Sequence, residues 1–109
     1  WDNQPSETGM LTPRQRQYLK AQAHPLKPVL HIGKAGVTEP MLVELDQTLD
    51  ALELMKIKLN QNTFEDEASV VEVLERRIEG LQHVWTIGHT LLVFRPSRTR
   101  PTRFPLPER

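Results

Sequence analysis

The sequence predicts a single α/β domain, ordered α-β-α-β-α-β-β, with a four-stranded mixed sheet. Three observations predict it. Apolar residues recur at helical spacing in three stretches of the 109-residue chain, each behind a capping residue or an acidic opening. Between and after these stretches lie short β-branched or aliphatic runs bounded by Pro, Gly and Asn. The composition, 38% hydrophobic and 26% charged, suits one domain with one modest core.

The elements follow in chain order. Residues 1–9, WDNQPSETG, are polar and patternless, and Met10 stands just before the first structural signal. Residues 1–10 are therefore read as a disordered leader or an expression remnant. Leu11-Thr12-Pro13-Arg14-Gln15 opens the first helix: Thr12 is the N-cap, Pro13 suits the first helical position, and Gln15 completes a capping box. Tyr18, Leu19 and Ala23 form its apolar side, and Pro25 and Pro28 end it near His24.

Residues 29–32 (VLHI), bounded by Pro28 and Gly33, read as a strand. Thr38 caps a second helix with Met41, Leu42, Leu45, Leu49 and Leu52 on one stripe. Met55, Ile57 and Leu59 alternate with Lys56 and Lys58. That is a half-buried strand whose lysine face is either a groove floor or a protected edge.

After a turn at residues 60–63, Val70, Val71, Val73, Leu74 and Ile78 mark a third helix. Glu65, Asp66 and Glu67 lie at its positive end and Gly80 is the expected C′ residue. Residues 83–87 and 90–95 form a hairpin through Gly88-His89, a type II′ pair. Both βαβ crossovers are expected to be right-handed and to make parallel neighbours. Trp85 and Phe94 sit in apolar strands and are expected in the core. The domain then spans residues 11–97. Residues 98–109 read as a Pro/Arg-rich extended tail that packs no core.

Several function classes lack their signatures. Cysteine is absent, which removes disulfides, thiolate nucleophiles and thiolate metal sites. No run of about 18 apolar residues and no signal-peptide core occurs. His24, His31, His83 and His89 form no metal-ligand spacing, and no G-x-S-x-G, Walker A or dinucleotide fingerprint is present. The expectation is a non-enzymatic, cytoplasmic protein without cofactor, metal or membrane partner.

Charge is more informative than its total of zero. Residues 1–38 carry five basic against two acidic residues, a net of +3; residues 39–79 carry four against eleven, −7; residues 80–109 carry five against one, +4. Such segregation suits a polyanion partner on one side. Gly33-Lys34-Ala35-Gly36, the GKAG loop, lies between a strand and a helix start. Its glycines let backbone approach a ligand, its amides suit phosphate oxygens, and Lys34 adds a mobile charge. A GxxG loop of this kind clamps nucleic-acid backbone in KH domains. Glu39, in the next helical turn, would repel an anion seated on the helix end, so the loop itself is the expected contact. Arg14, Arg16 and Lys20 on the first helix, Lys27 before the first strand, and Arg98, Arg100 and Arg103 in the tail are expected to extend the track.

The stretches LTPRQRQYLKAQAHPLKPVLHIGKAGVTE (11–39), ELMKIK (53–58) and IGHTLLVFRPS (87–97) resemble the CRM domain, and in particular the YhbY-like bacterial proteins. The resemblance implies an α/β fold related to the C-terminal domain of translation initiation factor three. It also implies RNA binding through the GxxG loop, here Gly33, Lys34, Ala35 and Gly36, flanked by the basic first helix. Large-subunit ribosomal RNA or a pre-ribosomal particle is the implied partner, with ribosomal proteins beside it. The alternative is a protein-interaction adaptor working through the acidic face of the second and third helices.

Overall fold

A computed structural model describes residues 11–108; the expected leader at 1–10 lies outside the described residues. The elements are α1 (Pro13–Ala23), β1 (Pro28–Ile32), α2 (Glu39–Leu52), β2 (Leu54–Leu59), α3 (Glu67–Arg77), β3 (Gln82–Ile87) and β4 (Thr90–Phe94). Each helix starts where a side chain can satisfy an orphan amide. Thr12 Oγ1 accepts from the Gln15 amide at 3.2 Å while Gln15 Oε1 accepts from the Thr12 amide at 3.0 Å, which is the expected capping box. Thr38 Oγ1 accepts from the Met41 amide at 3.3 Å, and Asp66 Oδ1 from the Ser69 amide at 2.8 Å.

The sheet order is β1-β2-β4-β3. β1 and β2 are parallel, and β4 is antiparallel to both β2 and β3. Contrary to the expectation from the sequence, the second crossover does not make neighbours of β2 and β3. The hairpin folds β4 back into the gap between them. The physical reason is burial: Leu91, Leu92, Val93 and Phe94 are all buried, so this strand belongs at the centre with a partner on each edge. β3, with exposed Trp85 and Ile87, takes the edge.

Alternation along the strands divides the core in two. Leu30, Ile32, Met55, Ile57, Leu59, Leu91 and Val93 pack under Leu42, Leu45 and Leu49 of α2 and Val70 and Leu74 of α3. On the other face Leu54, Val84, Leu92 and Phe94 pack under Leu19 and Ala23 of α1. One helix of 11 residues, about 16 Å long, covers only part of that face. Val29, His31, Lys58, Trp85 and Ile87 remain exposed beyond it.

Two expectations need correcting here. Among the described residues the tail has no helix or strand, yet it packs. Leu106 is buried with Leu11, Leu19 and Phe94, and Phe104 meets Phe94 edge to face at 6.2 Å. A single Leu and a single Phe suffice because the half-covered face leaves apolar surface for them, and burying one such side chain contributes about 1.5–3 kcal/mol. Gln15 Nε2 fixes the far end by donating to the Pro107 carbonyl at 3.2 Å. Gly80 is likewise not a C′ residue: α3 ends at Arg77, and its C-cap Ile78 is extended. Gly80 (φ 85°) instead occupies the left-handed position of a turn closed by the Leu81 amide on the Ile78 carbonyl, 3.2 Å.

Candidate functional site

Three connections emerge at one end of the sheet because of strand register. β1 and β2 finish together, Ile32 opposite Leu59. β4 begins there, Thr90 opposite Lys58, and β3 ends there, Ile87 opposite Thr90. The GKAG loop, the segment 60–66 and the Gly88-His89 turn thus lie side by side. The Asn60 amide donates to the Ile32 carbonyl and the Leu59 amide to the His89 carbonyl, both at 2.8 Å. Lys58, Asn60, Asn62 and His89 line an open hollow between them. His31 is opposite Lys58, and both are exposed.

Within the loop, the Gly36 amide donates to the Gly33 carbonyl at 3.0 Å, which leaves Lys34 and Ala35 exposed at the tip. The two glycines have different reasons to be there. Gly36 has φ 69°, and a Cβ on it would collide with the Glu65 carboxylate. The backbone requires that glycine. A Cβ on Gly33 would meet only Asn62 Oδ1 at 3.7 Å and Asn60 Nδ2 at 3.8 Å, ordinary contacts. Gly33 keeps that side of the loop bare without the fold demanding it. Among the described residues Lys34 has no hydrogen-bond or ion-pair partner.

One loop amide is already occupied. Glu65 Oε2 accepts from the Val37 N–H at 2.8 Å. The sequence placed Glu65 with Asp66 and Glu67 at the α3 dipole; the structure turns it away, onto the GKAG loop. The amides of Lys34 and Ala35 have no partner among the described residues. Glu39, expected to repel anions, is answered by Arg77 Nη2 at 2.5 Å.

The other expected contacts disperse. Arg14 and Arg16 are about 200° apart around α1, so they do not form one stripe. Arg14 is exposed, whereas Arg16 Nη1 donates to the His83 and Val84 carbonyls at 2.7 and 2.8 Å and stitches α1 to β3. Burial and the nearby Arg16 charge hold the His83 imidazole below its ordinary pKa. Lys20 leans over the Trp85 ring, its Nζ 3.5 Å from the centroid. Lys27 is exposed at the opposite end of β1 from the GKAG loop, roughly 20 Å away along the strand.

Two of the three tail arginines are consumed internally, while the Arg103 side chain stays exposed with no partner among the described residues. Arg98 bridges Asp46 (2.6 Å) and Asp50 (2.9 Å) on α2, and Arg100 reaches Glu53 at 2.9 Å. Buried Arg95 also binds Asp46 and Asp50. Glu53 is fully buried at φ 66° and is the hub. Its carboxylate accepts from the Ser97 amide at 3.0 Å and the Arg103 amide at 2.9 Å, and its own carbonyl accepts from the Arg95 amide at 2.9 Å. Burial alone would raise the Glu53 pKa, but these donors outweigh it and hold the group below the usual range. Asp46 follows the same balance, with Arg95 and Arg98 prevailing over burial. Asp50 is depressed by Arg98, first through its guanidinium and then through its amide. This cluster also occupies part of the acidic face on which the adaptor alternative depended.

Trp85, unlike Phe94, does not lie in the core where the sequence pattern put it. It is 43% exposed on the same face as buried Val84. A register shift between His83 and Trp85 places two consecutive residues on one side. The signal was the adjacent bulky pair Val84-Trp85, which breaks the alternation of an edge strand. Among the described residues, no group of three or more His, Asp or Glu is placed to hold a metal ion, and no helix is long and apolar enough to cross a membrane.

Residues 11–95 match the CRS1 / YhbY (CRM) domain. The chain belongs to the CRS1 / YhbY (CRM) domain family. This CRM domain is 37% identical over 89 residues to the Probable RNA-binding protein YqeI of Bacillus subtilis, covering 82% of this chain and 92% of the relative. It is 36% identical over 95 residues to an RNA-binding protein of Haemophilus influenzae, covering 87% of this chain and 95% of the other. The solution structure of the hypothetical protein SAV1595 from Staphylococcus aureus superposes with a TM-score of 0.73 at 35% identity, covering 90% of this chain and all of that one. The match to residues 11–95 includes the GKAG loop, α1 and Trp85 and stops before the tail arginines.

Proposed function

We propose that this CRM domain is a non-catalytic RNA-binding protein of the cytoplasm that holds ribosomal RNA by its sugar–phosphate backbone and assists assembly of the large ribosomal subunit. The observation that carries the loop assignment is the contrast between its two glycines. Gly36 serves the backbone, whereas Gly33 keeps bare a surface beside a lysine that has no partner among the described residues. The Lys34 and Ala35 amides and the Lys34 ammonium meet phosphate oxygens, and Lys58 and His31 continue the surface around the sheet end, whereas His89 Nδ1 is answered by the Glu67 carboxylate at 2.9 Å. The names of the relatives from Bacillus subtilis and Haemophilus influenzae support RNA as the ligand class. The ribosomal target rests on the family resemblance of the sequence.

The test is co-sedimentation with ribosomal particles from growing cells, paired with binding to large- and small-subunit RNA at several salt concentrations. The wild type is expected with large-subunit precursors. Lys34→Glu, folded by circular dichroism, is expected to leave them. Equal binding by that variant removes the loop from the site, and sedimentation with the small subunit alone removes the assembly role.

A further inference from the structure

The uncovered half of the sheet contains a recess remote from the loop tip. It lies where the last turn of α1 passes over β2, β4 and β3. Lys20, Ala23 and His24 form one wall, Lys56 and Leu92 the floor, and Trp85 the far wall. Its volume is about 160 Å³. A cavity of about 150 Å³ holds one benzene ring, so this one has room for a single six-membered ring and is tight for a fused pair.

Its chemistry is one-sided. No acidic residue lines it; two lysines, a histidine and the Thr90 hydroxyl do. Lys56 Nζ spends one proton on the Leu26 carbonyl at 2.9 Å and has two more to offer. Lys20 rests on the indole, a contact that any flat ring with its own phosphate can exchange for stacking and an ion pair. An apolar slot with an aromatic wall and cationic donors fits a base whose edge carries acceptors. Lys27, Lys58 and His31 on the surrounding surface suit the phosphates on either side of it.

We infer that this recess binds one unpaired uracil of the RNA strand, stacked on Trp85 with Lys56 donating to a ring carbonyl and Lys20 moved to the adjoining phosphate. Uracil fits better than cytosine because it offers two ring carbonyls to these donors, where cytosine replaces one of them with an amino donor. Size disfavours the purines. The inference rests on the RNA-binding reading and adds a base-reading contact to the backbone contact of the GKAG loop.

Nuclear magnetic resonance titration of the full labelled chain with eight-residue oligouridine, oligocytidine and oligoadenosine tests it. Comparison with Trp85→Phe assigns the Trp85 indole resonance apart from that of Trp1. Oligouridine is expected to shift the Trp85 indole, Ile87 and His24 signals most strongly. Trp85→Leu, which keeps an apolar side chain on the edge strand, is expected to weaken oligouridine binding about tenfold while changing oligoadenosine binding little. Shifts confined to residues 31–38 overturn the recess and leave the loop reading standing. No shifts with any oligonucleotide or with ribosomal RNA overturn both. Trp85 shifts that grow with protein concentration in the absence of RNA assign the recess to a second copy of the chain and overturn the inference.

Discussion

The tail arginines and the loop lysine look alike in sequence and differ in what answers them. Arg98 and Arg100 each lie within 3 Å of a carboxylate on or just after α2. Lys34 has no partner among the described residues. The +4 of residues 80–109 and the −7 of residues 39–79 therefore neutralise each other in part, and charge that looked available for a ligand holds the chain end to the domain. Segregated charge in a sequence identifies candidates for attraction. Whether the attraction is internal depends on where the fold brings the segments.

The most severe way to break this contrast is at Glu53. Its buried carboxylate answers Arg100 and two backbone amides at once. Removing one partner of a buried pair leaves the others unsatisfied, and Glu53→Ala is expected to destabilise the domain by about 3–5 kcal/mol. Urea unfolding measures it. RNA affinity of the folded protein should be unaffected, since Glu53 faces the tail and not the loop. An unchanged unfolding midpoint would show that the tail does not depend on this hub.

Salt dependence sharpens the same contrast. If Lys34 neutralises a phosphate, Lys34→Ala should reduce the slope of log affinity against log salt by about 0.7–0.9. Arg98→Ala should leave the slope unchanged, because its guanidinium is already paired with Asp46 and Asp50. The reverse result would mean that the tail lifts off its carboxylates to bind RNA.

Acid provides a third, gentler probe. Asp46, Asp50 and Glu53 are held below their ordinary values in the folded chain. In the unfolded chain such carboxylates titrate near pH 4. The unfolded state therefore takes up protons first as pH falls. The stabilisation is complete above about pH 5 and is lost progressively below about pH 4, towards the lowered folded values. Glu53→Gln should flatten that acid limb in a stability-versus-pH series, and an unaltered limb would assign the loss to other carboxylates.

Much of this architecture is legible from local chemistry. Thr12, Thr38, the Met55/Ile57/Leu59 alternation and the Gly88 turn each act over a few residues, and the sequence identifies them correctly. What it does not disclose depends on distant partners. The central place of β4 follows from burial on both faces, and the packing of Leu106 from apolar surface left bare by a short α1. Glu65 reads as one of three acids at a helix start, and only the approach of that segment to Val37 gives it a different task. Within the expected site, the four loop residues stay together, while Arg16, Arg98 and Arg100 are diverted to structure and Arg14, Lys27 and the Arg103 side chain stand apart.

The smallest expected effect is also the most specific. Gly33→Ala adds one methyl group at ordinary contact distance from Asn60 and Asn62, without a positive φ to strain. Its effect on stability should lie within about 0.5 kcal/mol. If RNA backbone packs against Gly33, the same methyl group occupies space the ligand needs, and affinity should fall several-fold with no change in the salt slope, because no charge is altered. Gly36→Ala is the control: a left-handed φ and the Glu65 carboxylate both oppose it, so it should lose stability before affinity can be read. Equal, wild-type affinity in a stable Gly33→Ala protein would confine the loop's contribution to the Lys34 charge and remove close backbone approach from the mechanism.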